Sequence, residues 1–525
     1  MPMPAPNSPW PPEGYAPALE AIRRDDALIS GDTDVINERR ARQYGKPYTH
    51  RTQFNGGVVG AASRAFLGKP QRSTAAEASH LVTHHLPIAD ELTTALADYM
   101  AGKPPQAKLA ADDADNAEAA EALDRLVSSD RFASDWWGAV YRAGSHGWVY
   151  GRVVWNQSVD PHPWIEWVDA DNGMAEFENG RQIAILFWDT YKHDDDYFRL
   201  LQRHTPGQIE YQLFKGSDSS LGQPVPYDEI PEAAYLMELE GLRDGTILPT
   251  GSGLITADML DNYRPRHAWR QKKLLRYYHT SDVSRAAGIF ENIDHNWSQL
   301  QHEVEAARGR LFVSEELLDS DGPGQGSYLD WFRDVYKASM SPSVEAKPTF
   351  EQIQFDMRVE QYLTLIDSGI RKAVSALGLS PFTVDMDAQA TGEMTATETR
   401  ARTRRTRATA DTKGRHERAH LSHILTAYLH MDALLNGYTP PTKPVMVSLP
   451  DQIEVSEQEL TGSVTTVYTS GLMSIRAALT KLHPEWTPEE VEAEEQRIKQ
   501  DQAAAMPQDP MLGLGEDMAP LADEE

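Results

Sequence analysis

Apolar residues recur at helical spacing over two stretches of the chain, about 281–308 and 354–378. In the first, Ile289, Ile293, Trp297, Leu300 and Val304 follow at steps of four, four, three and four, which places them on one face of an α-helix. In the second, Val359, Ile366, Ile370, Val374 and Leu377 form a similar face, with Tyr362 and Leu363 beside them. Each stripe needs a partner surface. Between them the chain offers the apolar pieces RLFVSEELL and YLDWFRDVYKA and the breakers GPGQG and MSPS. This pattern predicts a protruding hairpin of helices that carries a small tip.

Elsewhere the pattern divides the chain further. Residues 1–17 are proline-rich and read as a disordered or extended arm. From Ala18 to about Asp130 the pattern is helical, with breaks at Gly56-Gly57 and at Gly102-Lys103-Pro104-Pro105; LPIADELTTALADYMAGKPP is an amphipathic helix stopped by a glycine and prolines. The alanine- and acid-rich stretch 107–123 reads as the start of another helix or a solvated connection. From Trp136 to about 250, β-branched and aromatic runs predict antiparallel strands, with tight turns at Asp171-Asn172-Gly173 and Glu178-Asn179-Gly180. IPEAAYLMELEGLRDG is a helical piece within this region. A long helix begins near Thr395, where Thr395 or Thr397 could cap it and Glu398 has capping-box spacing, and continues towards Leu435. Gly437, Pro440 and Pro441 end it. The strand-like linker PVMVSLP leads to a helical unit over 456–505, and the acidic tail 506–525 is expected to be disordered.

Charge narrows the function. With 525 residues the chain has room for roughly three or four domains of about 150 residues. Its formal net charge of −29 argues against a tight, nonspecific DNA binder, which needs a basic surface to displace counterions from phosphates. An acidic wall past which DNA slides remains compatible with that charge. There is no cysteine, so disulfides and thiolate metal sites are ruled out and a reducing compartment fits. The N-terminus lacks the basic and apolar regions of a signal peptide. No apolar run approaches the ~18 residues of a transmembrane helix, so an intracellular chain without a membrane partner is expected.

Motifs for chemistry fail on inspection. His84-His85 lacks the carboxylate spacing of a zinc helix, and Asp194-Asp195-Asp196 reads as a solvated turn. In the run Asp385, Asp387, Gln389, a calcium loop would need glycine and glutamate where Ala390 and Ala396 stand. P-loop and nucleophile-elbow motifs are missing. No catalytic, cofactor or metal residue is assigned. The basic set Arg400, Arg402, Arg404, Arg405, Arg407, Lys413, Arg415 and Arg418, interrupted by Asp411 and Glu417, would coat most of a helix at about 100° per residue. Ion pairing with acidic surface of the same or a neighbouring subunit fits this set better than phosphate contact does.

The order of elements resembles that of the portal proteins of tailed bacteriophages, the head-to-tail connector rings. The matching pieces are LADYMAGKPP, AGSHGWVYGRVVWN with PWIEWVDADNGMAEFENGR, and SDVSRAAGIFENIDHNWSQLQHEVEAARGRLFVSEELL. They continue with the Ile370–Leu379 helix end and LSPFTVD, then TATETRAR, and finally GLMSIRAALTKLHPEWTPEEVEAEEQRI, so that the whole spans about 90 to 500. The resemblance implies a helix-rich α+β multidomain portal fold, a ring-forming subunit with wing, stem, clip and crown, and a dodecameric channel at one capsid vertex. By position, 18–280 would be the wing, 281–308 and 354–378 the stem helices, and 309–353 the clip. Residues 379–394 would be the tunnel loop, 395–451 the long wing helix with its linker, and 452–505 the crown.

Partners implied are further copies of the chain, the major capsid protein or scaffold, the terminase large subunit, a head-completion or adaptor protein, and double-stranded DNA passing through. The location implied is the virion, after assembly in the host cytoplasm. Asp385, Met386, Asp387, Gln389, Glu393 and Met394 are then the expected channel residues, the acids repelling phosphate. Leu311, Phe312, Val313, Trp331, Phe332 and Tyr336 are the expected contacts between neighbouring clips, with Leu329 beside them and the 319–327 loop left for the motor or adaptor. Another head structural protein, or a metal-dependent nucleic-acid-processing enzyme with convergent carboxylates near the Arg-rich helix, are the competing readings.

Overall fold

The computed structural model describes residues 3–44, 82–156, 159–238, 242, 246–306, 310–312, 319–320, 327–328, 351–353, 357–384, 386, 399, 401–450, 457–483, 486 and 488–505. The chain forms two compact units, Met1–Ala390 with Thr403–Gln452, and Thr391–Arg402 with Ile453–Glu525.

The first unit begins with helices α1 (Ala16–Ser30), α2 (Thr33–Tyr44) and α3 (Ile88–Ala101). The 107–123 stretch resolves into a short strand β1 (Gln106–Lys108), one 3-10 turn and the start of α4 (Ala117–Val127), which is followed by α5 (Asp130–His146). Asn116 and Ser129 cap α4 and α5 by accepting the amides of Ala119 and Phe132. Gly147 ends α5 at φ 97°, and a Cβ there would come within 2.7 Å of the His279 carbonyl oxygen. Only glycine allows both the left-handed turn and that approach.

Strands β2 (Trp148–Val154) and β3 (Trp164–Val168) then pair antiparallel. A meander follows: β4 (Gly173–Glu178), β5 (Arg181–His193), β6 (Asp196–Thr205), β7 (Gln208–Ser217) and β8 (Ser220–Val225). After α6 (Pro231–Ala234), β9 (Ile247–Pro249) pairs with β7, and β10 (Ala257–Asp261) joins the other sheet in the order β10-β2-β3. The Asn179-Gly180 turn closes the β4–β5 hairpin with both residues left-handed, at φ 48° and 84°, as a primed two-residue loop demands. The turn at 171–173 does something different from the hairpin expected. β3 pairs with β2, and β4 pairs with β5, so this turn carries the chain from one sheet to the other. Asp194 and Asp195 form the exposed loop between β5 and β6.

The two-residue alternation of β2 divides the core. Val149 and Val153 join the helical core with Trp136, Phe290 and Ile424, whereas Trp148 and Tyr150 face an aromatic core with Tyr15, Trp188 and Tyr278. This explains a correction. Residues 3–17 of the expected disordered arm are ordered: the Trp10 amide donates to Ser219 O at 2.9 Å, and the Asn7 amide donates to Gly222 O at 2.7 Å. Trp10 is buried and stands edge-on to Trp188 at 5.2 Å, while the Tyr15 hydroxyl donates to Ala170 O at 2.7 Å. Proline richness weakened the helix and strand signals of the arm, but its aromatics had an apolar surface to cover.

Helix α7 (Asp282–Ala306), short strands β11 (Arg310–Phe312), β12 (Asp319–Ser320), β13 (Ser327–Tyr328) and β14 (Glu351–Ile353), and helix α8 (Val359–Leu377) come next. Helix α9 (Arg404–Asn436) is the long helix, stopped at left-handed Gly437. Thr403 occupies its N-cap; Thr395, Thr397 and Glu398, expected at its start, lie outside the described residues. Strand β15 (Met446–Ser448) pairs antiparallel with β1, so the linker predicted to have strand character does.

The second unit contains α10 (Glu457–Thr469), α11 (Ile475–Leu482) and α12 (Pro488–Ala505), with Ser474 capping α11 and Val464, Leu479 and Val491 buried. The tail 506–525 lies outside the described residues. Among the described residues no helix is long and apolar enough to cross a membrane.

Candidate channel and ring-contact surfaces

Two contacts fix the direction of the helical hairpin. At one end the Arg285 guanidinium of α7 donates to the Ala376 and Leu377 carbonyls that end α8. At the other, Glu303 near the end of α7 pairs with Arg358 just before α8, at 3.1 Å. The helices are therefore antiparallel. Of the predicted stripes, Ile293 and Leu300 of α7 and Ile366, Val374 and Leu377 of α8 are buried, and Ile289, Trp297, Val359 and Ile370 are half-buried; Ala286, Phe290 and Ala373, outside the stripes, are buried with them. Gly369 lets the helices close: a Cβ there would lie 2.9 Å from Ile293 Cγ1. Towards the tip the burial stops. Val304 and Leu363, both on the predicted stripes, are 45% and 48% exposed, and Met357 and Leu365 are 50% and 55% exposed. These four apolar side chains are left uncovered on the outer half of the hairpin, and Leu363 and Leu365, two residues apart on α8, face different sides of it.

The first turns of α9 hold the root of the expected channel loop. The last carbonyls of a helix have no intrahelical donor and carry the negative end of its dipole. For α8, Arg405 Nη2 donates to Ser375 O at 2.7 Å and Thr409 Oγ1 donates to Gly378 O at 2.9 Å. Thr406 Oγ1 accepts the Ser380 amide at 2.8 Å and bonds Thr383 Oγ1 at 2.7 Å. Leu379 and Ser380 are buried, Pro381–Val384 make one 3-10 turn, and the Met386 amide donates to Pro381 O at 3.1 Å. The side chain of Met386, one of the expected channel residues, packs on the helical core. Asp385, Asp387, Gln389, Glu393 and Met394 lie outside the described residues.

The basic set separates by depth. Arg402, Arg404, Arg405 and Arg415 are exposed, Arg407 and Arg418 are half-buried, and Arg400 lies outside the described residues. Lys413 points inward and its Nζ pairs with the fully buried Asp282 at the start of α7; Asp282 also accepts from Arg285 Nη1 at 3.3 Å. One turn on, burial raises the Glu417 carboxyl to about 7 despite the nearby Lys413 and Arg418 charges, and its Oε2 has no hydrogen-bond partner. With Arg407, Asp411 and Arg418 it lines a cavity of about 190 Å³. Ion pairing within the chain thus accounts for Lys413, and helix-end capping for Arg405.

At the tip, Leu311 and Phe312 lie on β11, opposite Gln352 and Glu351 of β14, and β12 pairs with β13 across 319–328. Val313, Leu329, Trp331, Phe332 and Tyr336 lie outside the described residues. His85, read as no metal ligand, bonds Asp294 Oδ2 through Nδ1 at 2.8 Å, while Asp294 Oδ1 accepts the Leu86 amide at 2.9 Å. Among the described residues a potential ligand group is Asp261, His279 and His416, with donor atoms within 4.8 Å of one another. Two imidazoles and one carboxylate differ from the all-oxygen set of convergent carboxylates that a magnesium-dependent nuclease needs. Sequence reasoning missed this group and Asp282, because their members come from segments far apart in the chain. The one local signal was polar Lys413, His416, Glu417 and His420 on the helix period of the apolar residues Leu421 and Ile424.

No curated protein matches this sequence. A chain of the virion of a native gene transfer agent particle aligns at TM-score 0.42 and 13% identity, covering 79% of this chain and 94% of that one. Chains from the necks of the empty particle computed with C6 symmetry and of the native particle computed with C12 symmetry align at 0.43 and 0.38, each at 13% identity. The first covers 79% of this chain and 94% of its own, the second 84% and 97%. The sequence also matches the family of phage portal proteins described as SPP1 Gp6-like over residues 19–508. That span takes in the helical hairpin, the two larger sheets of the first unit and the helices of the second, and the chain belongs to this family of phage portal proteins.

Proposed function

We propose that this portal protein closes into a dodecameric ring at one capsid vertex. The α7–α8 hairpins form the channel wall, and the ring serves DNA packaging and ejection without catalytic turnover. What carries the reading is the exposure of Val304, Met357, Leu363 and Leu365, apolar side chains on more than one side of a hairpin whose root is held by buried polar contacts. A neighbouring hairpin of the same kind covers such a surface when the contacts are heterologous and close by rotation. In this reading the 18–280 segment is the wing, 309–353 the clip and 452–505 the crown. The clip residues Leu311, Phe312, Val313, Trp331, Phe332 and Tyr336 contact neighbouring clips.

The loop from Asp385 to Met394 faces the DNA, with Asp385, Asp387 and Glu393 opposing phosphate and Met386 anchoring its root. The ring docks the terminase large subunit and later a head-completion or adaptor protein, and it contacts major capsid protein or scaffold. It is assembled in the host cytoplasm and remains in the virion.

Light scattering on the purified protein, with electron micrographs of the same fractions, tests this. Rings with a central hole are expected, and Leu365→Asp should release monomers whose circular dichroism is unchanged. Wild-type protein that stays at its 58.7 kDa monomer mass at every concentration, or Leu365→Asp rings as stable as wild type, would overturn the reading.

A further inference from the structure

We infer that Asp261, His279 and His416 form a binding site for a single borderline divalent transition metal, zinc or a chemical equivalent, that ties the long helix α9 to the base of the α7–α8 hairpin. Asp261 ends β10, where it is opposite Trp148 of β2; His279 lies three residues before α7; His416 lies on α9. Three segments distant in sequence thus bring three ligand types to one point. Asp261 Oδ1 is 3.0 Å from His416 Nδ1, and Asp261 Oδ2 lies against His279 Nδ1. The imidazole planes stand at 87° with centroids 5.6 Å apart, so the two Nδ1 atoms approach the carboxylate from different directions.

His279 Nδ1 is the informative atom. It is buried and already paired with the Asp261 carboxylate, so an ion bound here replaces the proton between the two groups.

The donor set selects the metal. Two imidazoles and one carboxylate match zinc and its neighbours, whereas magnesium and calcium take oxygen ligands. With no cysteine in the chain, histidine and carboxylate are the remaining side chains for such an ion. The side chains of His279, Asp261 and His416 are 13%, 23% and 34% exposed, so the His416 side opens to solvent and can admit a water as fourth ligand. Bound metal requires neutral imidazoles, and any proton that His416 carries is released on binding. The inference stands apart from the ring: it concerns one chain, and its test reads metal content and coordination.

The full-length protein, stripped with a chelator and titrated with zinc alone, should retain one zinc per chain after gel filtration and unfold at a higher temperature. X-ray absorption at the zinc edge of that wild-type sample should show imidazole scattering with ligands at about 2.0 Å. His279→Gln and His416→Gln should each weaken zinc binding at least tenfold. His423→Gln, which changes another α9 histidine that bonds the Ile255 carbonyl, should bind as wild type. No retained zinc, a zinc shell made of oxygen alone, or undiminished binding by both glutamine variants would overturn the site and leave Asp261 as a hydrogen-bonded clamp between two imidazoles. The absorption measurement decides the matter even where a variant fails to fold.

Discussion

His204 sets a limit on stability at low pH. It lies on β6 opposite Ile185 and is 1% exposed; its Nδ1 is 2.8 Å from Thr256 Oγ1, its ring stands edge-on to Phe187, and its Nε2 has no partner. Burial, reinforced by the positive charge of Arg152, lowers its pKa to about 3. In the unfolded chain the imidazole titrates near ~6.5. A depressed folded value means that the unfolded chain takes up a proton the native protein refuses. The contribution to stability is therefore whole above about pH 6.5 and is lost progressively as pH falls towards the folded value. Between pH 7 and pH 5 the unfolded chain binds nearly one extra proton at this site, which costs the fold about 2 kcal/mol. Replacing His204 by Phe keeps roughly the volume and removes the titration; Thr256 loses its partner equally at both pH values, so that loss cancels. Urea unfolding followed by tryptophan fluorescence reports this core through Trp10 and Trp188. Wild type should lose about 2 kcal/mol more than His204→Phe on going from pH 7 to pH 5. Equal losses would mean that His204 carries its proton inside the fold, and the argument from burial would fail.

Three further perturbations test the packing. Gly369→Ala should destabilise, because overpacking against Ile293 costs ~1–3 kcal/mol and the gain in helix propensity returns only ~1 kcal/mol; a double-mutant cycle with Ile293→Ala should show coupling, and strict additivity would contradict the close approach. Trp10→Ala should cost ~3–5 kcal/mol and expose residues 3–17 to limited proteolysis, whereas an unchanged digestion pattern would mean that the arm is not docked. Lys413→Met should cost ~3–5 kcal/mol by leaving the buried Asp282 carboxylate with Arg285 alone, and adding Asp282→Asn should restore most of it in thermal unfolding; no recovery would refute the pairing.

The elements best read from sequence are those with a local cause. Ile293, Leu300, Ile366 and Val374 mark buried helix faces because a helix repeats every ~3.6 residues, and the structure buries all four. Asn179-Gly180 marks a hairpin because few other pairs tolerate two left-handed residues in succession. Local pattern misled where the partner lay elsewhere. The turn at Asp171-Asn172-Gly173 has hairpin chemistry but joins two sheets, since strand pairing is decided by which edges meet. Trp10 sits among prolines, and its burial depends on Trp188 and Arg199, which come together only when the sheet has formed.

The candidate site divides along the same line. The sequence by itself determined the helical hairpin, the Arg-rich long helix that follows and, through the order of its pieces, the portal family. Periodicity, capping and turn chemistry are short-range and leave their record in neighbouring residues. Tertiary structure decided what the charged residues do. Arg405 looked like surface charge and caps the end of α8; Lys413 belongs to the same basic run and lies buried on Asp282; Asp261, His279 and His416 carry no motif and meet at one point. Each of these roles depends on a desolvated partner from a remote segment, and desolvation exists only once the chain has packed.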